Sequence, residues 1–372
     1  MGNWANLPSK LLDVILSNVF AKDRFSLVCR SWNTVATTSP SHYLVPSMMY
    51  YYRRTHTWKF HLHNTSFFTT FPELKHSEIH CSKHGWLLMA RNDNTLFFFD
   101  PFNNRSINLA CKIGFGYNKL FFFHPPTSPD CIVVGIKTPV WKQANPVRTQ
   151  AVELCVLKHG KDEWEHFEFP TKNEYMVSNA PPVLHRGQIY FLDTKGDVAR
   201  FDIIKRRFVI SDKYLRLQRY GKVKEQYLFK VKGDEALFGV FVFHDERTVK
   251  VCRLSEGPSK NMNVLMNKKM KWELVEEGIG DNVLYLSHAS CFVCTADNKT
   301  MANRIYFPML YGDSPVFYSL SDCKYHSLDG EYSSTNTYGL KRLDFAAWLT
   351  PSLITTSTSE LTMSGSTWKL IK

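Results

Sequence analysis

Hydrophobic and polar positions follow two different periods along the 372 residues of the chain. In the first forty residues the large apolar side chains recur every three or four positions, which is the period of an amphipathic helix, at Leu7, Leu11, Leu12, Ile15, Leu16 and Val19. Pro8 fits the first turn of such a helix, where its missing N–H has no partner to lose. A second short helix is predicted after a break at residues 20–23, with apolar positions at Phe25, Val28, Cys29 and Trp32. We therefore predict a three-helix module over residues 1–40, too small to bury its apolar surface alone.

Beyond residue 80 the pattern changes to short strands separated by turns. His84-Gly-Trp-Leu-Leu-Met-Ala and Thr95-Leu-Phe-Phe-Phe are predicted strands joined by an Asn-Asp-Asn turn. A similar order of strands and turns returns at Gly187 and again at Asn303, which lie 102 and 116 residues after Gly85 and Gly187 respectively. Further strand pairs are predicted between these copies, near residues 151–169 and 248–275. When they are included, the repeating unit is about fifty to fifty-eight residues long.

A repeat of that length predicts a mainly β fold, with a β-propeller of about six blades and a range of five to seven. Each sheet has an apolar face that only a neighbouring sheet can cover, so the sheets are expected to close into a ring. A pair of β-sandwiches is the alternative, although it would not explain the long-range recurrence. The predicted division is a helical module at 1–40, a linker with first strands at 41–75, the propeller at 76–353, and a Ser/Thr-rich tail at 354–372. The tail's Trp368-Lys-Leu-Ile could instead supply a ring-closing strand.

Charge adds one candidate surface to this picture. The net charge is +12, and the segment from Lys205 to Lys232 alone holds ten Lys or Arg against Asp212 and Glu225, a balance of +8. Such a surplus attracts nucleic acid, anionic lipid or an acidic protein. The alternative, which we favour, is a solvated set of strand edges and loops, so nucleic-acid binding is not the leading expectation.

Segments that would direct the chain to a membrane or to secretion are not expected. No apolar run approaches the length of a membrane span, and the first residues resemble neither a secretory signal nor a presequence. The nine cysteines are scattered in apolar surroundings, which is typical of reduced thiols used as core residues. The expected location is the cytoplasm, the nucleus or both.

The best candidate for a metal site is the group His76, His80, Cys81 and His84. Histidines four residues apart converge on one metal only on a helix. Gly85 and the strand that follows favour an extended backbone here, which would direct the rings apart, so we predict surface histidines rather than a metal site.

Other motifs of catalysis are weak. Cys291 and Cys294 have the spacing of a redox pair but lie in a predicted strand, where residues three apart face opposite sides. Gly114 and Gly278 begin short Gly-x-Gly sequences that lack the third glycine and the strand–helix setting of a dinucleotide loop. No catalytic residue, metal or cofactor is predicted, although a propeller enzyme stays open as a third class of function.

The N-terminal residues resemble an F-box, the module by which many cullin-RING ubiquitin-ligase subunits hold an adaptor. The resemblance rests on Leu7-Pro8, Leu11-Leu12, Ile15-Leu16 and Val28-Cys29-Arg30-Ser31-Trp32-Asn33. The span between Leu16 and Val28 is a few residues shorter than usual, which puts the strength of the adaptor contact in question. The resemblance implies binding to a SKP-type adaptor, and through it to a cullin, by Leu7, Pro8, Leu11, Ile15, Leu16, Val28, Cys29 and Trp32.

The C-terminal region resembles plant F-box proteins that carry domain of unknown function 295, of the F-box/KIB-like type. The matching segments include His84-Gly-Trp-Leu-Leu, Asp100-Pro-Phe-Asn-Asn-Arg, Gly187-Gln-Ile-Tyr-Phe-Leu-Asp and Trp348-Leu-Thr-Pro-Ser-Leu. Together the two resemblances imply a non-catalytic subunit of an SCF-type ubiquitin ligase, whose propeller binds an unidentified protein substrate. The alternative is a propeller that binds nucleic acid or an anionic surface through the basic cluster from Lys205 to Lys232.

Overall fold

A computed structural model describes residues 4–18, 28–38, 46–52, 57–62, 65–114, 116–117, 119–144, 147–171, 174–211, 220–256, 270–296, 299–343, 345–350 and 369–371. Within them lie two α-helices, α1 at Ser9–Asn18 and α2 at Arg30–Thr38, and two short 3-10 turns at Trp4–Asn6 and Pro72–Leu74. The predicted break at residues 20–23 and Phe25 lie outside the described residues. Neither described helix has the length and apolar character needed to cross a bilayer.

The described strands form six sheets, which we number by their order around the fold. Sheet 1 contains, in spatial order, Ala346–Leu349, Ser47–Tyr52, Thr57–Leu62 and Thr65–Thr69. Sheet 2 contains Lys369–Ile371, Arg105–Lys112, Thr95–Asp100, Trp86–Arg91 and Ser77–Lys83. Sheet 3 contains Glu165–Thr171, Val147–Lys158, Ile132–Ala144 and Lys119–Phe123.

Sheets 4 and 5 repeat a four-stranded plan. Sheet 4 contains Val183–His185, Gln188–Leu192, Val198–Asp202 and Arg207–Ile210. Sheet 5 contains Val223–Lys230, Leu237–Phe243, Val249–Glu256 and Met270–Leu274. Sheet 6 is larger and contains Cys291–Thr295, Asn282–Leu286, Arg304–Tyr311, Ser314–Ser319, Lys324–Ser327 and Ser333–Ser334, with Lys341–Arg342 paired to Arg304–Tyr311.

Apolar side chains between successive sheets explain why the sheets stack. In sheet 2 the neighbours Phe97 and Phe98 point to opposite faces, so Phe97 packs towards sheet 1 and Phe98 towards sheet 3. Further clusters fill the space between sheets 4 and 5, between sheets 5 and 6, and between sheets 6 and 1. Because the last cluster joins sheet 6 to sheet 1, the stack closes on itself, and its six described sheets lie within the predicted range of five to seven.

The ring is closed by a strand from each end of the chain. Ala346–Leu349 pairs antiparallel with Ser47–Tyr52, placing Trp348 opposite Met48. The strand Ser47–Tyr52, within the segment 41–75 predicted to hold the first strands, therefore belongs to sheet 1, and the predicted division at residue 76 stays a prediction. The tail strand Lys369–Ile371 pairs with Arg105–Lys112 at the edge of sheet 2, and the ring is closed without it.

The hundred-residue recurrence corresponds to every second sheet. The copies that begin near Gly85, Gly187 and Asn303 lie in sheets 2, 4 and 6, and the strand pairs predicted between them lie in sheets 3 and 5. The turns repeat as well, because Asp100 Oδ1 accepts the Phe102 N–H at 3.0 Å and Asp202 Oδ1 accepts the Lys205 N–H at 2.8 Å. In both turns an aspartate therefore caps the backbone of its own turn.

Candidate functional site

The helical module has a small core of its own. Leu12 and Val35 are buried between α1 and α2, and Trp32 joins them. The indole Nε1–H of Trp32 donates to the carbonyl oxygen of Trp4 at 2.9 Å, which ties the chain's first turn to α2. Helix α1 begins after Pro8, whose carbonyl oxygen accepts the N–H groups of Leu11 and Leu12 at 2.9 and 3.0 Å.

Apolar side chains that do not enter this core lie on the module's surface. Leu11 is 51% exposed and Val14 is 58% exposed, whereas Leu12 between them is 1% exposed. Leu11 and Val14 lie three residues apart in α1 and therefore share one face of the helix. Val28, just before α2, is 53% exposed. A helix that has apolar side chains on both its inner and its outer face has more apolar surface than its own core can cover.

The residues predicted to contact an adaptor divide by burial. Pro8, Leu11 and Val28 are exposed; Leu7, Ile15 and Cys29 are half-buried and pack against the core; Trp32 is buried. Leu16 belongs to α1, but its side chain lies outside what the structure describes. Val14 is absent from the predicted set, although its position one turn after Leu11 is a signal that could have identified it.

The propeller presents a groove between sheets 4 and 5 with a volume of about 490 Å³. Its lining includes Arg186, Arg200, Glu235, Arg253 and Met270. Arg186 Nη2 lies 2.7 Å from Glu235 Oε2, so opposite charges meet at its edge. This groove is therefore a concave surface lined by cationic, anionic and apolar side chains.

The basic cluster from Lys205 to Lys232 is partly neutralised. Arg206 Nη2 lies 3.3 Å from Glu165 Oε2, and Lys224 forms an ion pair with Glu246. Residues 212–219 of this cluster lie outside the described residues. The charge surplus read from the sequence is therefore smaller at the surface than the count of lysines and arginines indicates.

The four residues of the candidate metal site are spread along a strand. His80 and Cys81 lie within Ser77–Lys83, and His76 and His84 lie in the flanking turns with φ of 57° and 53°. Burial lowers the pKa of His80 and of His84 to about 4. In the described residues no group of three or more His, Cys, Asp and Glu is placed to hold a metal ion.

Two family profiles match the chain. The F-box domain matches residues 4–44, and the KIB1-4 beta-propeller matches residues 29–336. The second match covers most of the chain and corresponds to the ring of sheets described above. The first covers residues 4–40 of the predicted helical module and the whole predicted adaptor-contact set.

Plant F-box proteins are among the relatives. The chain is 30% identical to F-box protein At4g00893 of Arabidopsis thaliana over 260 residues, covering 66% of this chain and 64% of that protein. It is 27% identical to F-box/kelch-repeat protein At1g57790 of Arabidopsis thaliana over 338 residues, covering 87% and 88%. A solved protein of unknown function from Bacteroides thetaiotaomicron has a TM-score of 0.31 and 9% identity over 73% of this chain and 69% of that one, a similarity too low to inform the fold or the function. On the two profile matches and the plant relatives, the chain belongs to the plant F-box proteins that carry a KIB1-4 β-propeller.

Proposed function

We propose that this chain is the substrate receptor of an SCF-type cullin-RING ubiquitin ligase. The F-box docks to a SKP-type adaptor, and through it to a cullin, while the propeller binds a protein substrate in the cytoplasm, the nucleus or both. The observation that carries the proposal is the exposure of Leu11, Val14 and Val28 on a module that already has its own core. A soluble module gains from covering such side chains with a partner.

Covering the exposed apolar side chains supplies part of the energy of a specific contact. Fully burying a Val or Leu side chain contributes about 1.5 to 3 kcal/mol. Since Leu11, Val14 and Val28 are 51%, 58% and 53% exposed, covering the remainder of all three contributes roughly 2 to 5 kcal/mol before the costs of association. Half-buried Leu7, Ile15 and Cys29 border this surface, and buried Trp32 supports it from inside.

The role of the propeller is to hold the substrate near the transfer machinery. Ubiquitin transfer is carried out by other subunits, so this chain acts by raising the local concentration of the substrate. We assign a segment of the substrate to the groove between sheets 4 and 5, because its charges of both signs and its apolar Met270 can each select a partner group.

Co-expression with an adaptor and a cullin tests the proposal. The tagged full chain is purified with a plant SKP-type adaptor and a cullin, and size-exclusion chromatography is expected to give one stoichiometric complex. The same purification from plant cells under proteasome inhibition, followed by mass spectrometry, is expected to recover a ubiquitinated protein. If the chain elutes alone at micromolar concentrations of all three proteins, the proposal fails.

A further inference from the structure

The groove between sheets 4 and 5 has an apolar base and a charged rim. Its volume is about 490 Å³. Tyr190 of sheet 4, together with Leu254 and Met270 of sheet 5, lines the groove and is buried, so these side chains form its base. Arg186 and Arg253 line it and are exposed, so they belong to its rim.

Cations outnumber anions among the side chains of this groove. The charged side chains of its lining are three arginines and two glutamates, Arg186, Arg200, Arg253, Glu235 and Glu273. Two neighbours outside the lining are ion-paired with members of it, Asp234 with Arg253 and Lys271 with Glu273, and these two add one charge of each sign. The groove with its paired neighbours therefore has a formal charge of +1.

Both glutamates of the lining already bind cations of this chain. Arg186 donates to Glu235 Oε2 from Nε at 3.2 Å and from Nη2 at 2.7 Å. Lys271 Nζ donates to Glu273 Oε1 at 3.1 Å. In each case the hydrogen bond from the cation lowers the pKa of the carboxyl group, so both glutamates are ionised and held at neutral pH. A basic ligand would have to compete with these bonds.

The arginines can bind a ligand without giving up their own contacts. A guanidinium group has five N–H donors and pairs with carboxylates in a planar, bidentate geometry. Among the described residues, Arg253 uses one of these donors, in the contact of Nη2 with Asp234 Oδ1 at 3.2 Å, and its side chain is 53% exposed. Arg200 is half-buried within the strand Val198–Asp202, where water and salt screen its charge less than at the rim.

We propose that this groove binds an acidic segment of the protein substrate, with an apolar side chain of that segment over Met270. This rests on the function proposed above, because it names the class of substrate for the same groove. Aspartate or glutamate beside an apolar residue complements both the arginines of the groove and its apolar base. A basic segment complements only carboxylates that this chain already binds.

Selection from a random peptide library tests the class of ligand. A phage-displayed library of random dodecapeptides is selected on the immobilised full chain at neutral pH and low salt. The selected peptides are expected to be richer in Asp and Glu than the starting library, with an apolar residue beside the acidic one. Selection of no peptide, or of peptides without this enrichment, would overturn the proposal.

A charge reversal at Arg253 then tests whether these peptides bind in the groove. Fluorescence anisotropy of labelled copies of the selected peptides is expected to show an affinity about 10-fold or more lower for Arg253→Glu than for wild type. Arg206→Glu is the matched control and should leave binding unchanged. It makes the same change in net charge at another exposed, ion-paired arginine, whose partner is Glu165 of sheet 3.

Melting curves establish that both variants fold, and Arg253→Gln, with a smaller loss in the same direction, replaces Arg253→Glu if the latter does not. Equal peptide affinity of the folded Arg253 variant and the wild type would overturn the site.

Assembly with the adaptor and the cullin separates this inference from the proposed function. Arg253 lies on the propeller, so Arg253→Glu should form the same complex as wild type. If the complex forms but acidic peptides are not selected, the class of ligand is wrong and the receptor function stands. If acidic peptides bind in the groove but no complex forms, the receptor function fails and the class of ligand stands.

Discussion

Closure of the ring depends on Trp348, and replacing it with alanine gives the sharpest test of the architecture. Trp348 is buried in the strand from sheet 1 that meets sheets 2 and 6. Its backbone N–H donates to Ser290 Oγ at 2.9 Å, and its carbonyl oxygen accepts from Ser82 Oγ at 3.0 Å. Its indole Nε1–H donates to the carbonyl oxygen of Leu286 at 3.2 Å, and its ring lies 5.1 Å from that of Tyr285, centroid to centroid.

The expected loss can be assembled from these contacts. Removing a buried Trp side chain costs about 3 to 5 kcal/mol in transfer and cavity energy. Leaving the carbonyl oxygen of Leu286 without its donor adds about 1 kcal/mol. The backbone bonds to Ser290 and Ser82 are retained in the variant. The free energy of unfolding of Trp348→Ala should therefore fall by about 4 to 6 kcal/mol, which is a large share of the stability of a typical domain.

Urea denaturation followed by far-UV circular dichroism measures this change, since the β signal reports the ring. Trp4→Ala is the matched control, because the Trp4 side chain is 65% exposed and its removal should change the free energy by less than about 1 kcal/mol. A loss below about 1 kcal/mol in Trp348→Ala would refute the claim that this strand closes the ring.

Two further predictions concern pH. Burial lowers the pKa of His61 to about 4. Between pH 6.5 and 4 the unfolded chain therefore binds more protons than the folded chain. The free energy of unfolding should fall by up to about 3 kcal/mol as the pH falls through this range. His61→Gln should flatten the pH dependence of urea midpoints in that window, and parallel wild-type and variant curves would contradict it. Burial raises the pKa of Asp193 to about 6, so its ionisation destabilises the fold as pH rises through 6. The effect of Asp193→Asn on the free energy of unfolding should therefore be about 2 to 3 kcal/mol more stabilising at pH 8 than at pH 4. Thermal melts that show the same effect at both pH values would contradict this prediction.

The strands and their turns were predictable from the sequence because their signals are local. Alternation places Phe97 and Phe98 on opposite faces whatever the neighbouring sheet is, and Asp202 binds the backbone of its own turn. The closure was not predictable in the same way. Two short apolar segments near the end of the sequence, Trp348-Leu and Trp368-Lys-Leu-Ile, are both compatible with a strand. The pairing of Trp348 with Met48 shows that the first of them completes sheet 1.

The candidate sites show the same division between local and non-local information. A helical period selects Leu11 and Leu12 together, but the position of α2 decides that Leu12 is buried and Leu11 is exposed.

Adaptor affinity is the measurement that tests the central claim most directly. The full chain carrying Leu11→Asp and Val28→Asp is compared with wild type for binding to an immobilised SKP-type adaptor by biolayer interferometry. Ile204→Asp, at an apolar side chain 88% exposed on the propeller, is the matched control. The account predicts a loss of about 100-fold or more in affinity for the double variant, with unchanged melting of the propeller and unchanged binding by the control. Equal affinity of the folded double variant and the wild type would contradict it.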